Sequence, residues 1–435
     1  MTVNRAAPRG SWRSRCAGVC AALVLGSASA AAQPIASNDP IRIGPYLHDL
    51  GPTSVEIRAV VDPPGPLDIT ITKAGDGGAP RALSSKPSSM HVVPIDGLEP
   101  RTRYEYVATS GKARVRGELV TAPPEADTTP FTALVYGDNR TDDHAHELVV
   151  RAMLGAPSDL LLHTGDFVDD PSREVEWKQF FDPEAPLLRD RCVFTTIGNH
   201  EYLDAGRTYR QFFGSRAPGM ERANDQTMRW QFARFYFVDA QSSAPERWLP
   251  AELAKHASEP GVTWRVVVLH QGPYASGPHG PHPDITTSLI DGWVKAGVDL
   301  VLAGHDHLYE RGFANGLRYV VTGGGGAPPY KVEQRMRGTR KVEPTRHYVR
   351  LEIAPDRIKL AARRPDGSLV EEVSFDKTVG WSDDPPKDAP KDAPKPPPEP
   401  APEPPPTSWT PWAIGAGVIG ATALLLIARR RRYRK

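Results

Sequence analysis

Cysteine is nearly absent, with three residues in 435. Cys16 and Cys20 fall in an N-terminal apolar stretch that is expected to be removed. Cys192 is then left alone, which excludes an intramolecular disulfide. A thiolate cluster is excluded as well, so any metal must be held by oxygen and imidazole nitrogen, donors that suit iron, manganese or zinc. Cys192 heads an apolar run and reads as a buried filler rather than a nucleophile. Net charge is also scarce, at +1 from 53 Lys+Arg against 52 Asp+Glu. Four arginines in residues 1–15 and six basic residues in 429–435 sustain that balance, so the part between them is near −9. An acidic body is not the surface of a general nucleic-acid binder, and no such partner is expected; the basic stretch 335–341 is a local exception. The glycine run 323–326 is not followed by Gly-Lys-Ser/Thr, which excludes a P-loop and leaves a tight turn beside an active site.

The chain ends suggest where the protein works. Residues 1–32 combine an arginine-bearing start, an apolar core from Cys16 to Ala28 and small residues around Ala30 and Ala32, the layout of a secretory signal peptide. Beyond residue 381 the composition changes. The Pro-rich stretch 382–406, with Lys-Asp-Ala-Pro repeated at 387–390 and 391–394, cannot pack a core and reads as a semi-rigid linker. The uncharged segment 407–428 is just long enough to span a bilayer as a single transmembrane helix, and the basic tail 429–435 places its own side in the cytoplasm. No Leu-Pro-x-Thr-Gly sorting motif accompanies it. Export and membrane anchoring, with the ectodomain in the periplasm or at the cell surface, are the expectation.

Between these ends lie five segments rich in polar ligand types: Gly-Asp-Asn-Arg (137–140), Gly-Asp-Phe-Val-Asp (165–169), Gly-Asn-His-Glu (198–201), Leu-His-Gln (269–271) and Gly-His-Asp-His (304–307). Each ends an apolar run, at 131–136, 159–163, 193–197, 264–269 and 298–303, as strand-to-loop junctions do. Helical patterning at 144–154, 248–256 and 285–296 alternates with them, so an α/β domain is expected. In such sheets the loops at the carboxyl ends of neighbouring strands converge on one crevice. Acidic, amide and imidazole side chains far apart in sequence can therefore meet there and hold a pair of metal ions.

These segments, in this order, resemble the calcineurin-like metallophosphoesterases and in particular the purple acid phosphatases, over roughly residues 40–375. The resemblance implies a β-sandwich flanked by helices at 128–376. It also implies that Asp166 bridges two metal ions (Fe, Zn or Mn), with Asp138 and His307 completing one site and Asn199, His270 and His305 the other. A metal-bridging hydroxide would attack a phosphate ester, with His200 assisting the leaving group and Glu201 orienting His200. Two positions depart from the pattern. Asp169 stands where purple acid phosphatases carry the tyrosine that gives their colour, so it is expected in the second shell of a colourless enzyme. Arg140 stands where many relatives have a histidine ligand; it either grips phosphate or forms a structural salt bridge. His279 and His282 lie in the loop where a substrate-contacting histidine is often found, and one of them is expected to face the pocket. His146 either points at phosphate or is a solvated helix-end residue. His163 reads as a satisfied strand histidine, and His91, His256 and His347 as surface residues.

Upstream, residues 40–122 carry short alternating runs at 54–61, 67–73 and 104–108 separated by Pro and Gly turns, a small all-β sandwich. The stretch 97–106 resembles the tyrosine-corner region of fibronectin type III domains, with Tyr104 and Tyr106 in core or corner roles. The expectation is a dinuclear phosphohydrolase acting on phosphomonoesters. Phosphodiester or nucleotide hydrolysis at the same site is one alternative, and a surface binding protein with a little-used scaffold is another. Oligomeric state is not legible.

Overall fold

The computed structural model describes residues 40–383, apart from 76, 216–223 and 243. The expected leader (1–32), the linker beyond residue 383, the apolar segment 407–428 and the basic tail 429–435 lie outside the described residues. Among those described, no helix is long and apolar enough to cross a membrane.

Residues 41–120 form two antiparallel sheets. One has three strands in the order Ile41–His48, Ser54–Gly65, Ser88–Asp96; the other has four, in the order Arg81–Ser84, Asp68–Lys73, Arg103–Ser110, Ala113–Val120. Val55, Ile57, Ala59 and Val61 alternate into the core between them, as a half-buried strand requires. Tyr104 makes the expected corner, its hydroxyl accepting the Glu99 N–H at 2.9 Å. Arg58 breaks the alternation by being fully buried on the other face. The reason is tertiary: its guanidinium donates to the carbonyls of Phe212 (2.6 Å) and Gly214 (2.9 Å) at the end of helix Arg207–Phe213, and Tyr46 donates to Phe212 as well (2.9 Å). Helix carbonyls that have no partner within their own helix are thus satisfied by the sandwich.

Residues 131–381 form two seven-stranded mixed sheets. In the first, Phe131–Tyr136, Leu160–His163 and Val193–Thr195 run parallel, and Tyr348–Ile353, Arg357–Arg363, Leu369–Asp376 and Gly380–Trp381 extend the sheet antiparallel. In the second, Ala233–Val238, Trp264–Leu269, Leu300–Ala303 and Leu317–Thr322 are parallel, with antiparallel strands Gln226–Trp230, Tyr309–Ala314 and Thr339–Glu343 at the margins. The inner faces share one core that includes Val135, Leu162, Phe237, Val268 and Leu302. Outer-face residues pack under helices: Leu134 and Leu161 with helices Asp143–Leu154 and Glu174–Leu188, and Val267 and Val301 with helices Ala244–Lys255 and Thr287–Lys295. The result is a helix–sheet–sheet–helix sandwich. Strands covered on both faces read as mainly apolar runs, interrupted here only by the half-buried Thr132 and Arg265, which is why 131–136 and 264–269 match the observed strands residue for residue.

Helix Glu174–Leu188 lies outside the three stretches of helical patterning, and it carries Pro183 and Pro186 in its interior, where proline disfavours a helix. Burial of Trp177, Phe180, Phe181, Leu187 and Leu188 overrides that local cost.

Candidate metal centre

The parallel strands of both sheets end on the same side of the sandwich, and the loops that follow them bring the expected side chains together. Asp138 follows strand Phe131–Tyr136 and Asp166 follows Leu160–His163; Asn199 and His200 follow Val193–Thr195; His270 follows Trp264–Leu269; His305 and His307 follow Leu300–Ala303. Asp138, Asp166 and His305 sit at φ of 60°, 58° and 70°. Left-handed backbone is uncommon for non-glycine residues, and it clusters where a loop must aim a side chain. Glycines allow the loops to touch. A Cβ on Gly198 would lie 2.2 Å from Asp166 Oδ1, and one on Gly304 2.4 Å from Asp138 Oδ2. Gly-Asp and Gly-Asn here therefore mark close approach more than turn chemistry.

His270 Nε2 lies 3.0 Å from Asn199 Oδ1, 3.1 Å from His305 Nδ1 and 3.3 Å from Asp166 Oδ1. The ligand atoms of Asp166, His270 and His305 all lie within 4.8 Å of one another. A cation with bonds of about 2.0–2.2 Å holds ligand atoms roughly 3.0–3.4 Å apart, so this donor set fits one. His307 Nε2 stands 3.6 Å from Asp138 Oδ1 on the adjoining side. Outer contacts fix the ring orientations: His270 Nδ1 meets the Thr164 carbonyl at 2.8 Å and His307 Nδ1 the Pro328 carbonyl at 3.0 Å, which leaves both Nε2 atoms facing inward.

Burial and neighbouring charges push the titratable groups of the site in different directions. Burial pushes Asp138 up to about 8, with the Asp166 carboxylate adding and His270 opposing. Burial would raise Asp166 too, but His270, His200 and Arg140 outweigh it and hold that carboxyl far below its usual range. Burial disfavours charge on His270, yet Asp166 raises it to about 9; His305 is driven down to about 2 by burial and then by His270 and His279. Both upward shifts, at Asp138 and His270, favour the protonated forms, and a cation bound by these side chains would compete with those protons. The sign for stability follows. Asp138 and His270 both have folded pKa values above their unfolded ones, so each stabilises fully below its unfolded value and loses that contribution as pH rises, through about 8 and about 9. Asp166 titrates below this window. The Tm of the metal-stripped chain is expected to fall between pH 6.5 and 9, and the Tm gain on adding Zn2+ or Mn2+ to grow over the same range, because binding expels protons. A gain that shrinks with rising pH in calorimetry would contradict this.

Several expectations need correcting. Glu201 does not orient His200. It is buried and accepts the backbone N–H groups of Asp166 (3.0 Å), Gly198 (2.9 Å) and Phe167 (2.9 Å), so it ties two ligand loops together. His200 is oriented instead by Asp169, whose carbonyl lies 2.8 Å from its Nδ1. His146 is neither solvated nor free to meet phosphate: it is buried, with Nε2 2.9 Å from Glu184 and its ring stacked on Phe180. His282 turns away, one ring nitrogen on the Ala240 carbonyl (2.7 Å) and the other accepting Asp284 N–H (3.2 Å). His279 is the histidine at the centre, its exposed ring 4.3 Å from that of His305. His91 and His347 are buried rather than on the surface. His163 is satisfied as expected, between Asn139 Oδ1 and the Gly165 N–H.

Two contributors carry no separate signal in the reading above. Asp306, between the two histidines of Gly-His-Asp-His, is buried and accepts the N–H groups of Gly277 (3.0 Å) and His279 (3.2 Å), fixing the loop that presents His279. Tyr330 stacks on His307 with ring centroids 3.9 Å apart.

Residues 134–309 match the family model described as calcineurin-like phosphoesterase. Among curated proteins, purple acid phosphatase 5 of Arabidopsis thaliana is 25% identical over 246 residues, covering 55% of this chain and 59% of its own length. Fe(3+)-Zn(2+) purple acid phosphatase 12 of the same plant is 26% identical over 250 residues, covering 51% of this chain and 52% of its own length. The chain thus spans little more than half of either relative. Among solved structures, a purple acid phosphatase from yellow lupin (Lupinus luteus) seeds shares the fold with a TM-score of 0.65 at 16% identity, over 78% of this chain and 74% of that one.

Proposed function

From the match of residues 134–309 to the calcineurin-like phosphoesterase model and the similarity to purple acid phosphatases, we propose that this chain is an exported, membrane-anchored hydrolase of phosphomonoesters that works with two metal ions. The observation that carries the proposal is the convergence of Asp166, Asn199 and His305 at 3.0–3.3 Å around His270 Nε2, with Asp138 and His307 beside them. Asn199, His270 and His305 would hold one ion, Asp138 and His307 the other, and Asp166 both. The name of one relative specifies Fe(3+) and Zn(2+); iron, zinc and manganese all suit these donors. When bound, the ions would supply Lewis acidity toward water and phosphate oxygen.

The chain's own residues do the rest. His200 donates Nδ1–H to the Asp169 carbonyl, which turns Nε2 toward the centre, 3.9 Å from Asp166 Oδ2, where it can deliver a proton to the leaving oxygen. His279, exposed at the rim against His305, is placed to meet the ester or its leaving group. Asp169 offers no phenolate, so no colour of the purple kind is proposed. Export and anchoring rest on the sequence pattern of residues 1–32 and 407–435.

One experiment tests the proposal. Membranes of cells expressing the full-length chain, supplied with Fe/Zn, Mn or Zn, are assayed on an aryl phosphomonoester and the matching diester. Monoester turnover that sediments with the membrane supports it. Diester preference would replace it with a phosphodiesterase, activity confined to the soluble fraction would remove the anchor, and metal uptake without turnover would favour a binding protein.

A further inference from the structure

The centre is two-sided, and the sides are not equivalent. Around His270 Nε2, Asp166 Oδ1, Asn199 Oδ1 and His305 Nδ1 stand ready as donors. Arg140 lies across the other side. Its Nε donates to Asp166 Oδ2 at 3.2 Å, its Nη1 to Asp169 Oδ1 at 3.2 Å, and its Nη2 comes within 3.4 Å of His307 Nε2. The guanidinium therefore engages Asp166 Oδ2 and approaches His307 Nε2, two electron-pair donors that a cation beside Asp138 would need. Being positive itself, it also repels such a cation. It supplies no donor in return, because a guanidinium does not deprotonate in proteins.

We propose that Arg140 is a resident counter-cation that makes the two halves fill in order. The first metal ion enters the Asp166–Asn199–His270–His305 side with Arg140 in place. The second enters the Asp138–His307 side only when the guanidinium swings out. A way out exists: the side chain is 13% exposed, and a cavity of about 290 Å3 lined in part by Thr141, Asp169, Arg173 and Glu176 adjoins it. Asp169, already bonded to Nη1, can keep hold of the guanidinium as it turns. The inference rests on the reading that this centre holds metal, and it settles which role Arg140 plays before substrate arrives.

The test is metal stoichiometry rather than activity. The purified full-length chain, stripped with chelator, is titrated with Mn2+ by equilibrium dialysis. Couplings between neighbouring ligands commonly amount to ~5–150-fold, and the second Mn2+ is expected to bind roughly 30-fold more weakly than the first. Arg140→Gln, which keeps bulk but not charge, should bring the two to within about fivefold. Arg140→Lys, which keeps the charge, should retain most of the gap, and His270→Ala should delete the tight phase. Two equivalents entering the wild-type chain in one phase would overturn the proposal, as would a gap unchanged in both Arg140 variants. Failure of the wild-type chain to take up any Mn2+, Zn2+ or Fe would sink the metal-centre reading itself and this inference with it.

Discussion

Asp166→Asn is expected to lower kcat/KM for phosphoester hydrolysis by at least ~1,000-fold, since several kcal/mol of Lewis-acid stabilisation is at stake and each 1.36 kcal/mol is tenfold. Asp166 uses both carboxylate oxygens within the centre. Its Oδ1 faces His270 at 3.3 Å and accepts the His200 N–H at 3.1 Å, while its Oδ2 accepts Arg140 at 3.2 Å. Asparagine keeps the shape but removes the charge and replaces one oxygen with an N–H donor. That donor would point at Arg140 or at His270, and either contact is lost. Steady-state kinetics with metal analysis of the same sample checks the expectation. A variant that retains two equivalents of metal and activity within tenfold of wild type would show that Asp166 is no ligand.

Glu201→Ala should be the most damaging change away from the donor atoms themselves. Glu201 accepts buried N–H groups from Asp166, Phe167 and Gly198, with that of Val168 at 3.5 Å. An unmet buried donor costs ~1–3 kcal/mol, so the variant is expected to lose roughly 4 kcal/mol of stability, a large share of the ~5–15 kcal/mol of a typical domain. Activity should fall further than stability accounts for, because the loops carrying Asp166 and Asn199 lose their common anchor. Loss of such supports commonly costs ~10–100-fold in metal affinity. Glu201→Gln, which keeps one oxygen acceptor, should recover part of both. Urea unfolding and metal titration of the two variants would test this. Equal stability of Glu201→Ala and wild type would refute the anchoring role.

The parts of the molecule legible in sequence share a physical cause. Strands buried on both faces are mainly apolar, so 131–136 and 264–269 stand out by composition despite Thr132 and Arg265, and the polar residue types that follow them mark the loops of a crevice. The individual donors, Asp138, Asp166, Asn199, His270, His305 and His307, follow from the resemblance to the metallophosphoesterases, and their carboxylate, amide and imidazole types are carried by residue identity.

What each polar side chain faces is set by neighbours far along the chain, and there local patterning carried no information. His282 and His279 lie three positions apart in one loop, yet one is tied to the Ala240 carbonyl and the other lies on His305. His146 reads in sequence as a phosphate contact or a solvated helix-end residue, whereas helix Glu174–Leu188, with its two prolines, brings Glu184 and Phe180 against it. Glu201 is adjacent to His200 in sequence but bonds to the loop 33–35 residues upstream and to Gly198. Arg140 could be read as a phosphate grip or a salt bridge, and only the positions of Asp166, Asp169 and His307 around it give it a place on one side of the centre. Sequence by itself determined the strand–loop frame and the kinds of donor atom, because burial and ligand chemistry are properties of residue type. Tertiary structure alone decided orientation, pairing and the inequality of the two halves, because a hydrogen bond about 3 Å long is made between whichever groups the fold brings together.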